Sequence, residues 1–174
     1  ANEAQYARDV LARFMRRAYR RPVDKAEDDA KLALYTAGRQ EQEFLEAIKV
    51  ALTAVLASPH FLYLVEPQGA GPQATLNDHQ LAARLSYLLW SSQPDDALSQ
   101  LADAGKLKDP KTRSLQVDRL LKDPKSVAFV ENFAGQWLGL RQVGANPPAS
   151  DLYPQYDRHL ETSMVAESEA YFRE

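Results

Sequence analysis

The amino-acid sequence predicts an all-α fold, with about eight helices in two helical halves joined by a Gly/Pro linker. Three observations carry that expectation. Apolar residues recur at helical spacing along most of the 174 residues. Helix-start signals stand at Asn77, Asp109 and Asp123. No segment alternates apolar and polar residues as a half-buried strand does.

The first helix is expected over 2–20, where Tyr6, Val10 and Phe14 with Ala7, Leu11 and Ala18 make one apolar face. Arg21-Pro22 ends it. Asp24 with Glu27 three residues on predicts a capping box for a second helix running to Ala37, with Gly38 as its stop. A third helix is expected over 41–57, with Leu45, Ile48, Leu52, Val55 and Leu56 inward and alanines widening the face. This should be the most buried helix of its half. Ser58-Pro59 starts a further turn, and FLYLV is read as a short helix because nothing nearby offers a strand partner.

Residues 66–75 read EPQGAGPQAT, and two Gly and two Pro in ten residues hold no helix. The expected division is therefore 1–66 for an N-terminal helical domain, 67–75 for the linker and 76–174 for a C-terminal helical domain cut short at its end. Helices follow at 77–91, 95–104, 110–122, 124–141 and 156–174. Asn77 and Gln80 form a second capping box. LKDPKT and LKDPKS place Asp109 and Asp123 at N-caps with proline at N1, where its missing N–H costs nothing. These two segments lie too close together to be structural repeats, and are one start device used twice.

Composition narrows function by exclusion. The 45% hydrophobic and 26% charged content is that of an ordinary globular chain with enough apolar material for a core. A net charge of −3 gives no bulk attraction to nucleic acid. There is no cysteine, which removes disulfides, thiolate metal sites and covalent c-type haem attachment. No apolar run reaches the length of a membrane span.

The strongest charge feature is Arg13, Arg16, Arg17 and Arg20, which helical spacing places on one face. They are candidates for an anion or partner contact. The competing reading pairs them with Asp24, Glu27, Asp28 and Asp29 downstream. His60, His79 and His159 stand apart, without an E-x-x-H or H-E-x-x-H pattern, so no metal or haem site is expected. His79, in a first helical turn, is expected at the surface. Met15 and Met164 read as core. Asp95-Asp96 suit a helix start electrostatically, and the glutamates of the last helix suit a solvated face. Tyr87, Trp90, Phe133 and Trp137 read as core aromatics, with Phe133 and Trp137 mostly buried. Gly135 and Gly139 form a G-x-x-x-G expected to let another helix approach closely.

Two long stretches carry a resemblance. LAARLSYLLWSSQPDDALSQLADAGKL followed by LKDPKSVAFVENFAGQWLGL resembles a planctomycete-type domain of unknown function. The matching positions are Leu85 to Leu88, Trp90 to Ser92, Pro94 to Asp96, Asn132, Phe133 and Gln136 to Leu138. Ala12 to Val23 and LASPHFLYLVE at Leu56 to Glu66 resemble the companion domain that precedes it. The resemblance implies an exported, extracytoplasmic multidomain protein in which the tandem pair sits beside cytochrome c-type domains. Any haem would belong to another part of that protein. It supplies no catalytic residues. The function expected is a non-catalytic scaffold or interaction module whose partners are other domains of the parent, a cytochrome c domain among them. The alternatives are a portion of an oxidative or hydrolytic enzyme completed by downstream domains, and direct binding of haem or metal.

Overall fold

In the computed structural model the chain is described over residues 2–64 and 75–173. Those residues form nine α-helices, with no strand among them. The linker expected at 67–75 lies outside the described residues except for Thr75. The helices are α1 (Glu3–Tyr19), α2 (Lys25–Gly38), α3 (Phe44–Leu56), α4 (Pro59–Leu62), α5 (Asp78–Trp90), α6 (Asp96–Asp103), α7 (Pro110–Lys122), α8 (Val127–Trp137) and α9 (Arg158–Arg173). They fall into two compact units. The first comprises Ala1–Leu85 with Gln93–Arg113, the second Ser86–Ser92 with Ser114–Glu174.

The first unit is built on α1, α2 and α3. Along α1, Ala7, Leu11, Met15 and Tyr19 recur every four residues, and the first three are wholly buried. They meet Ala47, Ile48, Ala51 and Val55 of α3 and Tyr35 of α2 in a single core. The alanines of α3 are thus its inward face, while Leu45 and Leu56, expected inside, are exposed. Five of the 17 residues of α1 and four of the 13 of α3 are buried, so the two helices share the core in nearly equal proportion. Tyr6 also lies outside, because the buried stripe runs through Ala7.

Local signals set the helix ends. Asn2 caps α1 by accepting from the Ala4 N–H at 3.2 Å. The Asp24–Glu27 capping box forms as its spacing predicts. Gly38 does not stop α2 in a left-handed turn: it is the last helical residue, and Arg39 follows in right-handed conformation. Arg20 ends α1 with φ +57, a left-handed conformation that normally favours glycine. Its guanidinium donates to the carbonyls of His60 at 2.7 Å and Tyr63 at 2.9 Å, tying the end of α1 to α4.

Tyr35 is 2% exposed and needs a partner for its hydroxyl. It donates to Glu3 Oε1 at 2.7 Å, and Arg39 Nε donates to the same oxygen. Arg39, then Tyr35, hold the Glu3 carboxyl below its usual range.

The Asn77–Gln80 capping box starts α5, with reciprocal bonds of 2.8 and 2.9 Å. Asp78 beside it is nearly buried. Its Oδ1 accepts from the N–H groups of Leu107 at 2.7 Å and Lys108 at 3.2 Å, fastening the chain that enters α7. Asp95 caps α6 through the Leu98 N–H, and Asp109 caps α7 through the Thr112 N–H. His79 is half-buried, not at the surface as expected, and burial pushes its pKa down.

In the second unit Trp90 is 4% exposed and donates its indole N–H to the Leu120 carbonyl at 2.9 Å. Lys125 Nζ lies 4.6 Å from its ring centre. Asp123 starts a 3₁₀ turn over Pro124–Ser126 and not α8 itself. α8 is therefore shorter than the expected 124–141. It ends at Trp137, and Gly139 two residues on sits left-handed at φ +65. Gly135 is packed by the Arg141 side chain, Nε lying 3.6 Å from where a Cβ would be. The G-x-x-x-G thus serves a side-chain contact and a helix stop, not the approach of a second helix. Met164, expected in the core, is 45% exposed on α9.

Asp78→Ala should cost about 1.5–3 kcal/mol, because two backbone N–H groups lose a charged acceptor. Asp78→Asn should cost less, and urea melts of both variants check the order. Gly139→Ala should destabilise by about 1 kcal/mol through its left-handed φ, whereas Gly135→Ala should be neutral or stabilising.

The pH dependence has two windows. The Glu27 carboxyl is held low by Arg21, whose guanidinium bonds both its oxygens at 2.9 and 2.6 Å. A lowered folded pKa gives stability that is full above the unfolded value of 4.5 and lost as pH falls through the folded one. His79 is also lowered, so its contribution is full above 6.5 and declines below it. Urea midpoints should fall modestly between pH 7 and 5 and again below about 4.5, and His79→Gln should flatten the upper window.

Candidate functional site

α8 of the second unit presents two adjoining stripes, about 80° apart around the helix. Val130 and Ala134 face inward and are buried. Phe129, Phe133 and Trp137 repeat at four-residue spacing on another stripe, so their side chains stack along the helix. Phe129 and Phe133 are stacked with ring centres 5.3 Å apart. Phe133 and Trp137 follow at 5.8 Å, and the Phe172 ring of α9 meets Trp137 edge-on at 6.0 Å.

This row is not core. Trp137 is 65% exposed and Phe133 49%, overturning the expectation that both are mostly buried. The physical reason is an excess of apolar residues over inward positions. Alanine, valine and glycine fill the close side of α8, and the large rings take the side that remains.

Beside the row lies a groove of about 360 Å³, lined by Tyr87, Leu88 and Ser91 of the α5 end and by Asn132, Gln136 and the aromatic row. One wall is polar and fixed. Asn132 donates to Ser91 Oγ at 2.7 Å and accepts from Arg141 Nη2 at 2.5 Å. Ser91 has φ +51, a left-handed conformation that costs a non-glycine residue roughly 1–2 kcal/mol. Among the described residues, the groove lining contains no histidine and no carboxylate. Ser91 Oγ is engaged by Asn132, so the rings and this fixed polar wall together form a concave surface that a ligand or partner can contact.

The four sequence-predicted arginines are spread over different partners. Arg13 bonds the Asp9 carbonyl at 3.2 Å. Arg16 pairs with Asp103. Arg17 meets Gln93, at 3.1 and 3.3 Å in the amide orientation that satisfies both groups. Arg20 holds the α4 carbonyls. The acids downstream pair instead with Arg8, which meets Asp28 and Asp29, and with Arg21, which meets Glu27. His60 and His79 each lie 3.6 Å from a carboxylate, Glu27 and Asp103 respectively. His159 is exposed on α9. Glu161 is not on a merely solvated face, for its carboxylate lies 2.7 Å from where a Cβ on Gly144 would be. No group of three or more His, Cys, Asp or Glu residues among the described residues is placed to hold a metal ion. No described helix is long and apolar enough to cross a membrane.

The exposed row could have been suspected from the sequence. Val127, Phe129, Val130, Phe133 and Trp137 put apolar residues on more faces of an 11-residue helix than one interface can cover.

Two family models match the chain. One, PSD5, a protein of unknown function (DUF1595), matches residues 6–66. The other, PSD4, a protein of unknown function (DUF1592), matches residues 76–174. No curated protein and no solved structure gives a significant match.

The two tryptophans should report opposite environments. A Trp90→Phe variant, keeping Trp137, should emit to the red and be quenched strongly by iodide. A Trp137→Phe variant should be shielded. Trp137→Ala should cost under about 1 kcal/mol, far from the 3–5 kcal/mol of a buried tryptophan. A larger loss in a urea melt would return Trp137 to the core.

Proposed function

The chain belongs to the DUF1592 proteins of unknown function, and we propose that it works as a non-catalytic interaction module of a larger exported protein. Its partner is another folded domain of that protein, of cytochrome c type, and haem is carried by that partner. The site of action is extracytoplasmic. The exported setting and the cytochrome partner rest on the resemblance of both halves to tandem domains found in such proteins.

The observation that supports the binding role is the exposed Phe133–Trp137 pair. Tryptophan is the residue most often found at the energetic centre of protein interfaces, and a row of rings set on one helix is largely preorganised. The neighbouring Ser91–Asn132–Arg141 wall supplies fixed polar groups at the rim, where an interface carries its hydrogen bonds.

The test is titration calorimetry of the full chain against the cytochrome c-type domain encoded with it. Trp137→Ala and Phe133→Ala should each weaken binding about tenfold or more, with folding unchanged. Equal affinity of both variants and the parent chain would overturn the assignment of this face. Absence of any binding to that domain would overturn the partner.

A further inference from the structure

The polar wall beside the aromatic row holds one charge in place. Among the described residues that line the groove, none is charged. Arg141 stands behind the lining residue Asn132 and donates from Nη2 to its Oδ1 at 2.5 Å. Its Nε and Cγ lie 3.6 and 3.9 Å from where a Cβ on Gly135 would be, so the side chain runs along α8. Asn132 is itself fixed by its bond to Ser91 Oγ. Arg141 is exposed, and among the described residues it forms no ion pair. Glu131, the neighbour of Asn132 in sequence, is exposed and forms none either. A neutral amide oxygen orients a guanidinium without cancelling its charge, and the guanidinium has further N–H donors to offer.

The shape of the site favours a length of chain over a small molecule. Phe129 to Trp137 covers about two turns of α8, roughly 12 Å along its axis. That distance matches about three to four residues of extended chain. Phe133 and Trp137 are exposed, so a small ligand would leave most of the row in water. Gln136, one turn beyond Asn132, is exposed, and its side-chain amide forms no hydrogen bond among the described residues. It can both donate to and accept from a backbone laid along the helix.

We propose that the groove takes an extended segment of the partner, about three to four residues long, with apolar side chains on the rings and one carboxylate on Arg141. The inference rests on the binding role given to the aromatic row, and adds the form and the charge of what the row receives. Covering the rings removes water from the flank of Arg141, where an ion pair is screened less than on an open surface. The planar fork of arginine matches a carboxylate with two parallel bonds.

The experiment is titration of the ¹⁵N-labelled full chain with the capped peptide acetyl-Phe-Asp-Leu-amide and its counterparts with Asn or Lys in the middle. The Asp peptide should give saturable shifts in the backbone amides of 127–142 and in the Arg141 Nε–H. The Asn peptide should bind about threefold or more weakly, and the Lys peptide more weakly still. Added salt should weaken the Asp peptide and leave the Asn peptide unchanged. Arg141→Gln should abolish the preference for Asp over Asn, and Arg141→Lys should keep part of it. Should Arg141→Gln disturb the wall, the salt response of the unaltered chain decides. Trp137→Ala should weaken all three peptides and preserve their ranking. Equal affinity for the Asp and Asn peptides, with Trp137→Ala weakening both, would overturn the charge assignment while leaving the row as a binding face. A preference for Asp that Trp137→Ala does not weaken would remove the row as its seat. No saturable shift with any peptide would overturn the extended segment, even where calorimetry shows the folded partner bound.

Discussion

The first unit depends on how closely its three long helices α1, α2 and α3 approach one another, and small residues set those distances: a Cβ on Gly38 of α2 would lie 3.5 Å from Ala47 of α3. Ala7 on α1 and Ala47 and Ala51 on α3 are wholly buried. Larger neighbours such as Leu11, Met15 and Val55 then fill the space between the backbones at interior density. A bulkier residue at any of the three alanines would force the helices apart and unseat Tyr35, whose hydroxyl reaches Glu3 only from its present depth.

That arrangement explains which parts of the fold were legible in the sequence. Helix existence and most starts were legible because capping is local: Asp24 with Glu27, Asn77 with Gln80, and Asp109 each act within one turn. Which face is buried was less legible. Counting large apolar residues placed Leu45 and Leu56 inside, but a close helix pair buries its alanines and leaves surplus leucines in water. Asp123 shows the limit of local signals. The same D-P-K device that begins α7 gives only a 3₁₀ turn before α8, and α8 starts at Val127 without a side-chain cap.

The candidate sites were legible in part. The aromatic row was visible as spacing, yet spacing cannot say whether a ring faces a core or water. That depends on what the inward side already holds, here Val130, Ala134 and Gly135. The four arginines of α1 share a face by geometry, but their long side chains reach different partners: a backbone carbonyl for Arg13, Asp103 for Arg16, Gln93 for Arg17 and the carbonyls at the end of α4 for Arg20. The polar wall of Ser91, Asn132 and Arg141 is likewise a tertiary product, announced only by an unusual backbone angle at Ser91.

The left-handed Arg20 has a consequence for how α1 tolerates change in length. Its backbone is placed to deliver one guanidinium to carbonyls in and just after α4, so it sets the rotational phase of the helix that precedes it. Inserting one residue between Ala7 and Tyr19 would turn everything beyond by about 100°. Either the Ala7–Leu11–Met15 stripe would leave the core, or Arg20 would swing away from α4. The exposed positions of α1, Arg13 among them, can therefore vary in side chain while the number of residues in the helix cannot. The length of α1 is fixed from its two ends, by Tyr35 and Arg39 on Glu3 and by the α4 carbonyls on Arg20.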